Sequence, residues 1–219
     1  MSLLLRRRAL LALRKPLIPA AYQQVEYIES TGTQWIDTGF FPTNNTRVEI
    51  DVRFEVVDNA IPSDGAFGVY DEGNAFSINF GSDSGTRNTL FCWVNKSIAG
   101  GGTYVNFDAE HLLPTRNVLT LSNERVSYGL LSFELQKGNW TKLSKSLRLF
   151  GRLMLSGEEN PIKRRMTLYQ GKIYDDDILV RNFIPCYRKS DGAAGLYDTQ
   201  GGVFYTNQGT GEFLKGGDI

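Results

Sequence analysis

This sequence contains few of the residues that do chemistry in proteins. Its 219 residues include one histidine, His111, and two cysteines, Cys92 and Cys186. A general base needs a nucleophile and an orienting partner within reach, and neither can be identified around His111, so we expect a surface histidine in a loop. Both cysteines lie in apolar stretches without metal-ligand spacing. This favours buried free thiols and leaves a disulfide as the alternative.

The sequence also lacks a long apolar run and a net charge. No stretch approaches the roughly 18 apolar residues of a membrane-spanning helix. The 24 basic residues balance the 24 acidic ones, but residues 1–25 hold five basic residues and no acid. The remaining chain is therefore mildly acidic, which argues against a nucleic-acid partner. We expect neither a membrane span nor nucleic-acid binding.

The first 21 residues differ in composition from the rest and are predicted to form a separate arm. Residues 2–15 are rich in Leu, Ala and Arg, which favours a helix, and prolines at 16 and 19 end it. The apolar run at residues 9–13 is too short for a signal peptide. One interpretation is a frayed leader, because an isolated helix of about 14 residues is marginal in water.

The other interpretation is a docking arm that anchors the chain to a partner. Leucine side chains exposed to water are unfavourable. Burial of each one against a partner would contribute about 1.5–3 kcal/mol of stabilising free energy. The arginines can pair with acidic groups of that partner. The predicted anchoring residues are Leu3, Leu4, Leu5, Arg6, Arg7, Arg8, Leu10, Leu11 and Leu13.

The body, residues 22–219, has the pattern of an all-β domain. Residues 46–57 alternate between apolar and charged side chains, as in a strand with one buried and one wet face. Elsewhere in the body, short polar turns lie between pairs of strand-like runs, and this arrangement predicts β-hairpins. Residues 147–155 read as one further strand. Some 13 strand candidates, frequent glycine turns and no convincing helix predict a sandwich of two antiparallel sheets.

Distinct motifs lie at both ends of this body. Near its start, residues 25–39 read VEYIESTGTQWIDTG, two short extended runs around a Ser-Thr-Gly corner. Near its end lie KIYD (172–175), LVRNFIPC (179–186), GLYD (195–198) and FYTNQGTG (204–211). These stretches resemble the opening and closing patterns of concanavalin A-like (laminin-G-like) β-sandwich domains. Such domains occur in bacterial surface proteins and in structural proteins of tailed phages and prophages.

The resemblance implies a concanavalin A-like jelly roll and a non-catalytic role in a tailed-phage virion. The chain would decorate the capsid or belong to the tail, as one subunit of a larger assembly. The arm would hold other virion proteins, since basic leaders also precede this domain in phage structural proteins, and the sandwich would face outward.

The alternative is a carbohydrate-binding module of a phage adhesin or of a bacterial surface protein, located outside the cell and bound to surface glycan. Sugar recognition uses exposed aromatic rings beside polar groups. Trp140, in a polar loop, is the first candidate and Tyr104 the second. Trp35 and Trp93 lie in strand-like runs and are expected in the core.

Catalysis and metal binding find little support in the sequence. Related folds host glycosidases, and Glu49, Asp51 and Glu55 alternate along one predicted strand. A retaining pair of carboxylates must lie about 5–5.5 Å apart, whereas Glu49 and Glu55 would lie about 20 Å apart along a strand. The run Asp175–Asp177 fits a turn better than a calcium loop. We therefore expect no enzyme, no catalytic residue, no metal and no cofactor.

Overall fold

A computed structural model describes residues 17–57, 64–71, 74–81, 88–94, 103–137, 140 and 142–219. The predicted anchoring residues of the arm lie outside this part of the chain: Leu3, Leu4, Leu5, Arg6, Arg7, Arg8, Leu10, Leu11 and Leu13. The described residues form strands and turns without a helix, so the all-β prediction is confirmed. None of them belongs to a helix long and apolar enough to cross a membrane.

Nineteen strands are present in the described residues. They are β1 (Tyr22–Gln24), β2 (Ile28–Ser30), β3 (Ile36–Asp37), β4 (Thr46–Phe54), β5 (Asp64–Asp71), β6 (Asn74–Phe80), β7 (Thr89–Val94), β8 (Thr103–Asp108), β9 (Asn117–Ser122), β10 (Arg125–Tyr128), β11 (Leu131–Glu134), β12 (Arg148–Leu149), β13 (Gly151–Leu153), β14 (Glu159–Pro161), β15 (Met166–Asp175), β16 (Ile178–Arg188), β17 (Ala194–Asp198), β18 (Val203–Thr206) and β19 (Leu214–Lys215).

These strands form two sheets. The eleven-stranded sheet follows the order β11-β10-β9-β4-β15-β16-β17-β18, with β1 on β16, and with β2 between β15 and β19. The eight-stranded sheet follows the order β14-β13-β5-β6-β7-β8, and β12 joins β3 to β5. The pairing is antiparallel except between β5 and β13. The motif at the start of the body thus places β2 in one sheet and β3 in the other, joined by its Ser-Thr-Gly corner.

One apolar core fills the space between the sheets. Strand β4 shows the predicted alternation, with every second side chain from Thr46 to Phe54 buried and the charged ones partly exposed. The Phe54 ring from the eleven-stranded sheet lies 4.8 Å, centroid to centroid, from the Phe80 ring of the eight-stranded sheet. Both rings belong to a single buried cluster that draws on both sheets. The architecture is therefore sandwich-like, as predicted.

The predicted strand at residues 147–155 is divided in two. Phe150 adopts a left-handed backbone conformation, with φ of 60°, between β12 and β13. Its side chain is fully buried and its ring lies 4.8 Å from the ring of Phe213. Burial of this ring stabilises a conformation that is unfavourable for a residue with a Cβ atom.

A second, smaller apolar cluster lies on the outer face of the eleven-stranded sheet. Ile18 is 6% exposed and packs with Ile184, Cys186 and Tyr197. The Tyr22 ring lies 5.0 Å from the Tyr197 ring, and Tyr22 also begins the short pairing of β1 with β16. Residues 17–24, which we call the strap, are thus fastened to the body. Of residues 17–21, which the sequence analysis assigned to the arm, Ile18 packs here against the sandwich.

The two cysteines are free and buried, which confirms that prediction. Cys92 faces the core between the sheets, and Cys186 lies beneath the strap. Burial raises the pKa of each thiol to about 12, so both stay protonated and unreactive at neutral pH.

Candidate functional site

The motifs at the two ends of the body contact each other. The amide of Trp35 donates a hydrogen bond to Oδ1 of Asn207 at 3.2 Å. The Thr33 hydroxyl donates to the carbonyl oxygen of Thr210 at 2.8 Å. We call this contact the motif clamp and define it as residues 33–35 with residues 207–211. The residues that carry the family resemblance thus hold the first and last parts of the body together.

Gly209 allows the motif clamp to close. A Cβ atom at this position would lie 2.0 Å from the carbonyl oxygen of Thr33, so no other residue fits without displacing the backbone. The amide of Gly209 donates to Oδ1 of Asn207 at 2.8 Å, which joins both halves of the clamp through one side chain.

Another motif residue, Asp198, is also structural. Its carboxylate is fully buried and accepts hydrogen bonds from the amides of Asn182, Gln200 and Gly201 at 2.9–3.0 Å. These bonds fix the turn between β17 and β18 and tie it to β16.

Backbone register places a row of side chains on the outer face of the eight-stranded sheet. Directly paired residues share one face of a sheet. The residues that adjoin the members of this row along their own strands, such as Ile36, Phe67 and Ile78, belong to the core. The row therefore faces away from the core. We call it the outer row, and it runs across five adjacent strands through Asp37, Arg148, Gly68, Ser77 and Trp93.

A buried polar network lies in the middle of this face. Oδ1 of Asn79 accepts a hydrogen bond from Arg152 at 2.6 Å, and the Asn79 amide donates to the Ser77 hydroxyl at 2.9 Å. The Tyr70 hydroxyl accepts from Ser77 at 3.2 Å. All four side chains are more than nine-tenths buried. Burial raises the pKa of Tyr70, so its hydroxyl stays neutral.

Aromatic rings border this network. The half-buried Trp93 ring lies 5.3 Å from the Tyr70 ring in an edge-to-face arrangement and 5.8 Å from the Phe91 ring. Gly68 lies between Arg148 and Ser77 in this row. No residue with a side chain fits there, because its Cβ atom would lie 2.3 Å from Cβ of Ser77. The half-buried Trp93 ring therefore lies beside a buried polar network on this face of the sheet.

The other end of the outer row is charged. Arg148 is 8% exposed, and its guanidinium binds Asp37 at 2.8 Å and Glu159 at 2.9 Å. The ring of half-buried Trp35 lies 5.3 Å from the Arg148 guanidinium carbon. Burial raises the pKa of Glu159 against the opposing effect of Arg148. Both carboxylate side chains keep about a quarter of their surface exposed, so they reach solvent.

The two predicted sugar-binding residues, Trp140 and Tyr104, lie in different parts of the structure. The expectation that Trp140 is exposed is wrong, because this side chain is 5% exposed, belongs to the core and donates to Asn123 at 3.4 Å. Its ring belongs to the buried core, where it cannot stack on a ligand. Tyr104 lies on β8, and its backbone is paired with Trp93 in the outer row.

The acidic residues of β4 do not converge on a reaction centre. Glu49 forms an ion pair with Arg47, and Asp51 forms a two-bonded ion pair with Arg116 at 2.9 and 2.7 Å. They lie on the partly exposed outer face of the eleven-stranded sheet, as predicted for a solvated strand face.

The remaining candidate sites have ordinary structural explanations. Asp176 and Asp177 have φ of 49° and 60° and form the two-residue turn between β15 and β16, which confirms the predicted turn. His111 is exposed in the turn after β8, as predicted. Across the part of the chain that the structure describes, no cluster of three or more His, Cys, Asp or Glu side chains is arranged to hold a metal ion.

The sequence contains one local signal for the outer row. In β6, Ser77 and Asn79 alternate with Phe76, Ile78 and Phe80, so one face of this strand is polar although it is buried. Trp93 and Trp35 were expected in the core, but both are half-buried on the outer face. A polar strand face beside tryptophans is the pattern that could have indicated this site.

No protein-family model matches the chain. A search of curated proteins likewise found no match.

Proposed function

We propose that this chain is a non-catalytic structural module of a tailed-phage particle. Its body is a concanavalin A-like jelly roll displayed outward, on the capsid or the tail, and residues 2–15 anchor it to other virion proteins. The observation that carries the proposal is the motif clamp. In this proposal, the stretches that resemble phage structural domains build the body: Gly209 closes the motif clamp, and Asp198 fixes the turn between β17 and β18.

The absence of catalysis is part of this proposal and is supported by the charged groups of β4. The acids that resemble a glycosidase strand are engaged by neighbouring arginines, as at Asp51 and Arg116. Nucleophile and acid roles require two carboxylates on opposite sides of one bond, at a fixed separation. Neither Glu49 nor Asp51 has that arrangement.

Deletion of residues 2–15 tests the anchoring role. We expect the truncated chain to fold, because the strap and the body keep their contacts, and to be lost from assembled particles. Incorporation would be measured by quantitative mass spectrometry of purified particles. A matched control replaces Arg6, Arg7 and Arg8 by lysine, which keeps the charge of the arm and should keep incorporation. Normal incorporation of the deleted chain would contradict the proposal.

A second candidate function, glycan binding, is favoured by the outer row. Trp93 and Trp35 offer partly exposed rings, and Asp37 and Glu159 offer carboxylates fixed by Arg148. Sugar ligands need both flat apolar surface and oriented polar groups. This candidate places the protein on the particle or at the bacterial cell surface as an adhesion module.

A further inference from the structure

We infer that two copies of this chain pair through an open edge of the eleven-stranded sheet, with β11 of one copy against β11 of the other about a twofold axis. The partner at this edge is therefore a second copy of the chain, bound by main-chain hydrogen bonds. The inference does not depend on the function proposed above. It follows from three properties of β11: the direction of its backbone groups, the placement of its apolar side chains and its charge.

Strand β11 is an edge strand whose backbone is open on one side. In the described part of the chain it pairs only with β10, through a regular register. The amide of Leu135, directly after the strand, donates to the carbonyl oxygen of Glu124 at 2.8 Å, on the β10 side. Backbone groups point to alternate sides along a strand, and Ser132 and Glu134 are an odd number of residues from Leu135. Their amides and carbonyl oxygens therefore point away from the sheet.

The edge lacks the features that usually keep sheet edges apart. Natural edges are often protected by Pro, Lys or a bulge. Residues 130–134, Leu-Leu-Ser-Phe-Glu, contain neither Pro nor Lys, and their pairing with β10 has no bulge. Leu130 in the turn before the strand is 98% exposed, and Leu131 and Phe133 are only half-buried. The edge thus presents outward backbone groups beside apolar side chains.

A second β11 strand is complementary to this edge. When Ser132 of one copy lies opposite Ser132 of the other, their outward amides and carbonyl oxygens form two hydrogen bonds related by symmetry. In this register Leu131 of each copy lies opposite Phe133 of the other. Both side chains pack partly against the core of their own copy, and directly opposite residues share one face of a sheet. The pairing therefore joins the half-buried margins of two cores.

The charge of the edge permits this register. Glu134 is the only charged residue at positions 130–134, and it forms an ion pair with Arg125 of the adjacent strand at 3.6 Å. In the paired arrangement Glu134 of one copy lies opposite Leu130 of the other. The two Glu134 residues are then four positions apart along the strands, about 14 Å. Exposed charges at this separation are largely screened at physiological salt, so like-charge repulsion does not oppose the dimer.

The dimer should be weak because the paired segments are short. Five residues from each copy bury much less than the roughly 800 Å² per partner of a standard interface. Such an edge pairs to a significant extent where copies are held close together, because tethering raises their effective concentration.

The first test compares the full chain with two variants at Ser132, by sedimentation equilibrium over a range of protein concentrations. Ser132→Pro removes the outward amide of both copies and should weaken dimerisation at least about tenfold, since two hydrogen bonds are lost. Proline is tolerated on an edge strand where its nitrogen faces away from the sheet, so the variant should fold, and thermal unfolding verifies this. Ser132→Ala keeps the amide and should leave dimerisation unchanged.

Disulfide trapping tests the register and does not rely on the proline variant. Ser132→Cys places two thiols on directly opposite residues, whose Cα atoms lie about 5.5 Å apart, a distance that a disulfide spans. Glu134→Cys is the matched control, because its thiols would be about 14 Å apart. Cys92 and Cys186 are buried and free, so they should not take part. Oxidation by diamide should link Ser132→Cys chains and leave Glu134→Cys chains unlinked on a non-reducing gel.

Each outcome supports or overturns the inference. A dimer that is weakened by Ser132→Pro, kept by Ser132→Ala and trapped by Ser132→Cys supports it. A chain that stays monomeric at concentrations up to about 1 mM overturns it. A dimer that folded Ser132→Pro leaves unchanged, or that is trapped better by Glu134→Cys, overturns the assignment to β11. Loss of the dimer on deletion of residues 2–15 would assign the contact to the arm and also overturn it.

Discussion

At the scale of single residues, Gly209 joins two distant parts of the chain. Its amide and the amide of Trp35 share one acceptor, Oδ1 of Asn207, and no side chain fits between it and Thr33. A close approach of two backbones requires glycine for steric reasons. The glycine in this motif is therefore a packing residue and needs no ligand to explain it.

Substitution Gly209→Ala should destabilise the protein by about 1–3 kcal/mol, the range for an added methyl group that must displace its neighbours. Gly217→Ala is the control, because a Cβ atom there would meet only Glu26 at an ordinary 3.9 Å. Urea denaturation followed by tryptophan fluorescence measures both variants. Equal stability of the two would show that the motif clamp is open in solution.

Arg164 and Asp64 form a buried ion pair that contributes little to the stability of the fold. Arg164 is 2% exposed, lies 3.7 Å from the fully buried Asp64 and stacks 3.8 Å from the centroid of Phe80. Burial raises the pKa of Asp64 and lowers the pKa of Arg164, so desolvation outweighs their attraction. Such a pair fixes the arrangement of strands around it more than it stabilises the fold.

At the scale of elements, the strap links the arm to the body. Ile18 and Tyr22 cover Cys186 and Tyr197 on the outer face of the eleven-stranded sheet. The connection from the arm is therefore fastened to this sheet, opposite the outer row. Under the proposed function, the arm would therefore leave the sandwich from the face opposite the outer row.

Loss of the Ile18 side chain should loosen the strap. Ile18→Ala should cost about 2 kcal/mol, at the low end for a buried isoleucine because the cluster is small. The adjacent Leu17→Ala, at a side chain 63% exposed, should change stability by less than about 0.5 kcal/mol. Labelling of Cys186 by a thiol reagent should be faster in Ile18→Ala, and an unchanged rate would mean that the strap does not protect this thiol.

The elements were predictable where their periodicity was local. The alternation in β4 specified both its strand and its buried face, and hairpins such as β5–β6 and β9–β10 followed from short polar turns. The break at Phe150 was not predictable, because its left-handed conformation accompanies burial of the ring against distant residues such as Phe213, 63 positions away in sequence. The burial of Trp140 likewise depends on core side chains that are distant in sequence, such as Phe76, whose ring lies 6.3 Å away.

At the scale of the whole molecule, the two sheets depend on one core. The facing rings of Phe54 and Phe80, 4.8 Å apart, lie on opposite sheets. Since residues of both sheets belong to the same buried cluster, neither sheet could bury its apolar face alone.

A double-mutant cycle tests this dependence. Phe54→Leu and Phe80→Leu should each destabilise the protein, and their coupling energy should be about 0.5–1.5 kcal/mol, the range for edge-to-face aromatic pairs. Additive effects would mean that the sheets pack more loosely than their ring distance indicates. Val118→Ala, at an exposed side chain, is the control and should show no coupling with Phe80→Leu.

The outer row could not be assembled from sequence because it is a property of register. Asp37, Ser77 and Arg148 lie far apart in the chain and meet only through pairing of β3, β12, β5 and β6. Local patterns predicted most of these strands but contain no information on which strands become neighbours. The fold class was therefore accessible to sequence reasoning, whereas of the candidate site only the polar face of β6 beside the tryptophans was.

The motif clamp also has a consequence for the order of folding. Its partners are separated by more than 170 positions, as between Trp35 and Asn207. Contacts this distant require closure of a very large loop, and proteins dominated by them fold slowly. During synthesis the start of the body must therefore wait for the closing motif to leave the ribosome. Until then its apolar edges are available to chaperones or to neighbouring nascent chains.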